Sequence, residues 1–252
     1  WDLSSLIVIA SSGVMFSESS KAGLIRHLPQ VMIVDAFSSS EAIGMGQSVT
    51  AAGVDAGTAK FSLGANTKVF TDDHREVVPG SGEIGKVAVG GYQPIGYYKD
   101  PDKTAATFLT VDGKRYSVPG DFATIEADGT ITLLGRGSVC INTGGEKVFP
   151  EEVEKVLKGH PGVFDAVVVG IPHDRFGEQV AAVVQPRAGV PIDLDDLERH
   201  TRAHLADFKV PRRVALVDEL IRRPTGKPDL VWARARFDRD GPPPASGGPA
   251  SL

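Results

Sequence analysis

The stretch "YSVPGDFATIEADGTITLLGRGSVCINTGGEKVFPEEVE", Tyr116–Glu154, decides how the chain is read. It carries the pairs Gly120-Asp121, Asp128-Gly129, Gly135-Arg136 and Gly144-Gly145 inside segments whose apolar residues alternate. Alternation punctuated by Gly and Asp-Gly signals short antiparallel strands joined by tight turns. After Phe149 the period changes. Pro150 falls at a first helical position, Glu151 and Glu152 stand at the positive end of the helix dipole, and Val153, Val156 and Leu157 share one face. A β-rich region therefore gives way to a helical one within a single phrase, and the change of character is expected after Arg136.

Working outward from that phrase, "SLIVIASSG" (5–13) and "QVMIVDAFSSSE" (30–41) are apolar runs ending in small polar residues, with the helix-compatible "ESSKAGLIRHLP" (18–29) between them. That order predicts a βαβ unit with strands buried on both faces. Ligands in such sheets sit at the carboxyl ends of strands, which draws attention to "AFSSSEAIG" (36–44). From about Lys60 to Arg136 short alternating segments predict a small antiparallel sheet or barrel. Downstream, "VFDAVVVGI" (163–171), "EQVAAVVQPR" (178–187) and "RRVALVDEL" (212–220) read as strands, and "DLDDLERHTRAHLADF" (193–208) as a helix capped by Asp193. These make an α+β module of about 100 residues, enough for a small domain. The Pro-, Gly- and Ser-rich end, 239–252, has too little apolar surface to bury and is expected to be disordered.

Composition narrows the function classes. The 252 residues carry 27 basic and 32 acidic side chains, a formal net charge of −5, and 41% hydrophobic residues. No apolar run reaches the roughly 18 residues of a membrane span, so a soluble chain without a transmembrane segment is expected. Without a basic, aromatic-interleaved patch, nucleic acid is a poor partner. The single cysteine, Cys140, rules out an intrachain disulfide framework and fits a reducing, cytoplasmic setting; Val139 and Ile141 on either side suggest a small core residue. The chain opens on Trp1 and runs at once into a strand-like segment, as a fragment of a longer protein does.

Four stretches, in order, carry a family resemblance: "AFSSSEAIG", "GYYKDPDKTAATF" (96–108), "PGDFATIEADGTITLLGRGSVCINTGGEKVFPEEVE" (119–154) and "RRPTGKPDL" (222–230). Together they resemble the adenylate-forming enzymes: acyl-CoA synthetases, firefly-luciferase-like ligases and peptide-synthetase adenylation domains. The resemblance implies a fold of class α/β plus α+β. Residues 1–137 would form the C-terminal portion of a large AMP-binding domain, with the βαβ unit and a small antiparallel β-barrel, and 138–238 a small α+β lid. It also implies activation of a carboxylate as an acyl-adenylate, with release of pyrophosphate, followed by transfer to a thiol. The implied co-substrates are ATP (leaving AMP) and coenzyme A, with Mg2+, and the cations of the site would stabilise the charge gathered at the transferring phosphate. The "GRGSVCINTGGEKVFPEEVE" phrase looks most like bacterial fatty-acid or steroid-side-chain CoA ligases.

Carried over position by position, the resemblance implies that Phe37 stacks on adenine, Ser40 bonds phosphate oxygens and Glu41 holds magnesium. Asp121 would accept the two ribose hydroxyls, for which a carboxylate offers two acceptor oxygens and no donor. Arg136 would donate to the ribose or the adenylate. Lys227 would be the catalytic lysine, its ammonium bridging carboxylate and α-phosphate. Gly144 and Gly145 would line the coenzyme A tunnel, Ser138 would be the hinge of the lid, and Gly13 would border the acyl pocket. Two departures stand out: Ser38 occupies a position where Gly is common, and Ser138 one where Asp or Lys is common. Taken singly, each of these residues also has a plain structural reading: a helix cap at Ser40, a turn at Asp121, a solvated charge at Arg136, a surface turn at Lys227.

Other features carry less. His200 and His204 stand four apart on the expected helix, but no His-Glu-x-x-His motif accompanies them. "NTGGEK" (142–147) lacks the Gly-Lys-Ser/Thr ending of a phosphate loop. The Ser/Thr/Gly-rich phosphate-binding loop of the family is also missing. Two expectations of different class follow. Either the chain is part of an ATP-dependent fatty-acid-CoA ligase that works only with its N-terminal half, or it is a non-catalytic module with at most weak nucleotide binding.

Overall fold

The computed structural model describes residues 1–14, 16–54 and 60–238. The expected disordered end, 239–252, lies outside the described residues. The chain divides into two compact units, Trp1–Ser138 and a second that begins at Val139.

The first unit opens with strand β1 (Val8–Ser12), helix α1 (Glu18–His27) and strand β2 (Met32–Phe37), and β1 and β2 pair in parallel from Val8↔Met32 to Ser12↔Ala36. Ser17 caps α1, accepting from the Ser20 amide, and Pro29 stands just beyond the helix end. Lys21 on α1 and Asp35 on β2 form a buried ion pair at 2.7 Å that pins helix to sheet. The expected βαβ unit is thus present, but its strands are not buried on both faces as expected: β1 is exposed or half-buried throughout, and β2 buries only Ile33 and Asp35.

Antiparallel strands follow: β3 (Gly46–Thr50), β4 (Lys60–Leu63), β5 (Thr67–Phe70) and β6 (Gly85–Val89). After the short helix α2 (Pro101–Thr107) come β7 (Phe108–Val111), β8 (Lys114–Ser117), β9 (Asp121–Ile125) and β10 (Ile131–Arg136). They continue the same hydrogen-bonded path as the parallel pair, in the order β1-β2-β3-β4-β10-β9-β6-β8-β7, with β5 beside β6. Met45, Val69, Val87, Ala123 and Ile131, all fully buried, form the core beneath β3, β5, β6, β9 and β10.

In the second unit a short hairpin, β11 (Ile141–Thr143) and β12 (Glu146–Val148), precedes helix α3 (Pro150–Gly159). Strands β13 (Val163–His173) and β14 (Gly177–Pro186) form a long hairpin; helix α4 (Leu194–His204), strand β15 (Arg213–Leu216) and helix α5 (Leu230–Ala235) complete the unit. Strand order is β12-β11-β14-β13, with β15 parallel to β14. Side chains alternate across the pleat, and both faces are covered. Val168, Val180, Ala182 and Val184 pack on Val153, Leu157 and Leu197 of α3 and α4, while Val167, Val169, Ala181 and Val183 pack on Ala233, Phe237 and Leu220. That double covering is why β13 and β14 read as continuous apolar runs. Asp193 caps α4 as expected, accepting from the Asp195 amide. Cys140 is half-buried rather than packed in a core, lying between the helical turn Gly137–Val139 and β11. Among the described residues no helix is long and apolar enough to cross a membrane.

Candidate functional site

At the carboxyl end of β2 the chain enters the loop 38–44. Phe37, half-buried, packs its ring against Phe61 at 5.7 Å. The loop braces itself: the Ser38 hydroxyl accepts from the Gly44 amide, and Ser39 from the Ala42 amide. Ser38 therefore has a structural task where the family resemblance expects Gly. Ser40 stands exposed at the tip, and Glu41 turns back, half-buried.

Glu41 is met from across the sheet. Tyr97, in the loop before α2, donates its hydroxyl to Glu41 Oε1 at 2.5 Å. That bond, aided by the charge of Arg136, holds the Glu41 carboxyl below the ordinary range, so it is ionised at neutral pH. Burial and the ionised Glu41 raise the Tyr97 phenol in turn. Tyr97 itself is held by its amide, which donates to Thr104 Oγ1, and by Lys103, whose ammonium lies 4.0 Å from the ring centre. Tyr97 belongs to the "GYYKD" stretch but has no role in the sequence reading; a tyrosine at the start of a conspicuous motif was the available signal.

Asp121 is not a turn residue. It opens β9 and is 8% exposed, directly opposite Arg136 in the β9–β10 register. A β-bulge between Leu133 and Gly135, with Gly135 at φ +138°, supplies the one-residue shift that sets Arg136 against Asp121. Opposed residues of an antiparallel pair share a face, so the two side chains meet, Arg136 Nε lying 3.5 Å from Asp121 Oδ1. The other carboxylate oxygen, Oδ2, is buried without a hydrogen-bond partner. Burial pushes the Asp121 carboxyl up, Arg136 draws it down, and the nearby negative charge of Glu41 adds to the rise. Glu41, Tyr97, Asp121 and Arg136 thus form one electrostatic cluster.

The remaining expected residues are distributed as follows. Gly13, exposed just beyond β1, has φ +86°, which explains a glycine there without a ligand. Ser138 lies in a helical turn, Gly137–Val139, at the division between the units. Gly144 and Gly145 are the two central residues of the β11–β12 hairpin, at φ +60° and +92°. A tight turn with both centres left-handed needs this pair, quite apart from any tunnel. Lys227 is exposed in the second unit, following Gly226 at φ +80°. The two histidines are separated by environment: His200, half-buried, reaches the Val156 carbonyl with Nε2, and His204 is exposed.

The residues fit the groups that the resemblance implies. A buried carboxylate oxygen lacking a donor suits a ligand hydroxyl. Among the described residues no three His, Cys, Asp or Glu side chains converge to hold a metal. Magnesium is commonly held by one or two carboxylates together with substrate phosphates, and the ionised Glu41 can serve as such a carboxylate.

Residues 152–227 match the family of the AMP-binding enzyme C-terminal domain, and over nearly its whole length the chain is similar to acyl-CoA ligases. It is 52% identical over 235 residues, 93% of its length, to a medium/long-chain-fatty-acid–CoA/3-oxocholest-4-en-26-oate–CoA ligase of Mycolicibacterium smegmatis, of which it covers 43%. To the 3-oxocholest-4-en-26-oate–CoA ligase of Rhodococcus rhodochrous it is 50% identical over 93% of the chain and 42% of the relative. Among solved structures, the amide bond synthetase McbA of Marinactinospora thermotolerans superposes with a TM-score of 0.81 at 29% identity, over 94% of this chain and 47% of that one. The chain therefore spans less than half the length of the curated relatives it matches.

Proposed function

We propose that this chain is the C-terminal part of an ATP-dependent ligase, working in the cytoplasm, that joins a fatty or steroid-side-chain carboxylic acid to coenzyme A. In the first step a carboxylate oxygen attacks the α-phosphorus of ATP and the bond to pyrophosphate breaks. In the second the thiol sulfur attacks the acyl carbon and AMP leaves. Asp121 accepts the ribose hydroxyls through the oxygen that lacks a donor, and Arg136 donates to the adenylate. Lys227 brings a compact positive charge to the carboxylate and α-phosphate oxygens as they approach. Phe37 flanks the adenine, Ser40 bonds phosphate, and Glu41 holds Mg2+, which supplies charge neutralisation at the phosphates. The second unit acts as a lid hinged at Ser138, presenting Lys227 for adenylation and the Gly144-Gly145 turn to coenzyme A for thiolation. Gly13 borders the acyl pocket.

One observation carries most of the weight: the unpartnered Asp121 Oδ2, buried opposite Arg136 and beside an ionised Glu41. Desolvating a carboxylate and leaving an oxygen unpaired is costly, and a site that completes it only when ligand binds accounts for that cost.

The coverage of less than half of each relative favours a second point, that the isolated 252 residues do not adenylate and at most bind nucleotide weakly. Carboxylate-dependent ATP–pyrophosphate exchange tests both. The purified chain is expected to show none; the longer enzyme is expected to show it and to lose most of it with Lys227→Ala. Normal exchange in that variant would remove Lys227 from the mechanism, and exchange by the isolated chain would overturn the need for the N-terminal half.

A further inference from the structure

The loop that carries Lys227 is short and exposed, yet it is held at three levels. At its ends the chain is anchored in one apolar layer, by Leu220 before it and Ala233 of α5 after it. Within the loop, the Arg223 amide donates to the Lys227 carbonyl and the Gly226 amide to the Arg223 carbonyl, both at 2.8 Å. The third hold is a side chain. Arg222 donates through Nη1 to the Gly226 carbonyl at 2.9 Å and through Nε to Asp165 Oδ2 at 3.2 Å, and its Nη2 bonds the same carboxylate oxygen. The carbonyls on either side of the Lys227 Cα are therefore both fixed, one by Arg222 and one by Arg223, while the lysine side chain is left free to project.

Asp165, near the start of β13, is itself backed from α3. Lys158 Nζ lies 3.1 Å from Asp165 Oδ1 and 3.9 Å from Glu154 Oε2, and Glu154 Oε1 accepts from the Val168 amide. Burial tends to raise the Asp165 carboxyl, but Lys158 and Arg222 outweigh it and keep it ionised. A carboxylate on the rigid sheet, charged from behind, thus grips a guanidinium whose third nitrogen, Nη1, holds the loop.

We infer that Arg222, gripped by Asp165, is the positioning residue for Lys227: it sets the backbone from which the ammonium projects and touches no substrate itself. This rests on the role proposed above for Lys227. Arginine is required because one planar fork must satisfy a carboxylate and a carbonyl in different directions; a lysine delivers a single point charge and reaches one of them.

The test has two arms on Arg222→Lys and Asp165→Asn. In the 252-residue chain, amide hydrogen exchange at Arg223 and Gly226 is expected to speed up about tenfold, while the β13–β14 amides keep their protection. Unchanged exchange in the loop, or loss of protection throughout the sheet, overturns the proposal. In the longer enzyme, pyrophosphate exchange is expected to fall about tenfold to a hundredfold in kcat with KM for ATP little changed, the cost of a misplaced group. Conversion of preformed acyl-adenylate to thioester should be unaffected, and Arg222→Lys should add nothing to Lys227→Ala. Equal damage to both half-reactions would mark Arg222 as a mere structural prop and refute positioning. Normal pyrophosphate exchange in Lys227→Ala alone would instead remove the functional reading, and with it the catalytic claim, whatever the loop amides do.

Discussion

Replacing Glu154 by Gln should make the second unit more stable above neutral pH, although it removes a charged member of an ion-pair network. Glu154 lies on α3, 9% exposed, and burial pushes its carboxyl up from the ordinary 4.5 to about 7, against the pull of Lys158 and the Val168 amide. A carboxyl whose folded-state pKa exceeds its unfolded value keeps its proton longer in the native chain. Stability is therefore lost as pH rises from 4.5 through about 7, and it stays lost above. At about 1.4 kcal/mol per pH unit, the gap between 4.5 and about 7 is worth about 3 kcal/mol. Gln keeps the carbonyl that accepts from Val168 and has no charge to desolvate, so Glu154→Gln should match the parent at pH 4.5 and exceed it by about 3 kcal/mol at pH 8.5. The assay is urea unfolding followed by Trp232, one of two tryptophans, which packs on the β13–β14 face; Trp1→Phe removes the other. Stability curves that run parallel across this pH range would refute the assignment of a buried, proton-holding Glu154.

Three further outcomes are expected. Tyr97→Phe removes the donor that most depresses Glu41, and the Glu41 titration midpoint should rise, read by carboxyl-carbon NMR; an unmoved midpoint would show that the bond is not made in solution. Asp121→Asn should raise the melting temperature of the first unit slightly, because it removes a carboxylate that burial disfavours, yet weaken nucleotide binding by the longer enzyme about tenfold. A fall in both, or in neither, would contradict a site kept strained for its ligand. Gly64→Ala places a Cβ 2.0 Å from the Gly44 carbonyl oxygen at the base of the 38–44 loop, and should cost about 2 kcal/mol or more in thermal unfolding. An unchanged melting temperature would mean that the loop yields freely there.

Much of the architecture follows from short-range pattern. Runs of β-branched residues ending in small polar ones marked the parallel pair around α1, Pro150 and Asp193 marked helix starts, and a Gly-Gly pair marked a turn that only left-handed backbone can make. The order of four stretches pointed to the family, and residues 152–227 match its C-terminal domain model. Helix α5 escaped notice because six residues are too few to show a period, and its place depends on a layer of core built from β13 and β14.

What the sequence by itself determined is the menu of local forms: which segments alternate, where helices begin and which turns need glycine, with four stretches that resemble a family's motifs. It could not tell a turn aspartate from a buried one, nor a solvated arginine from one that grips a loop. Those distinctions come from pairings between distant elements. Tyr97 reaches Glu41 across 56 residues and Arg222 reaches Asp165 across 57, and a bulged strand is what sets Arg136 opposite Asp121. The physical reason is that propensity acts over one turn or one pleat, whereas the charge state and direction of a side chain depend on what the completed sheet packs against it; only the tertiary structure decides that.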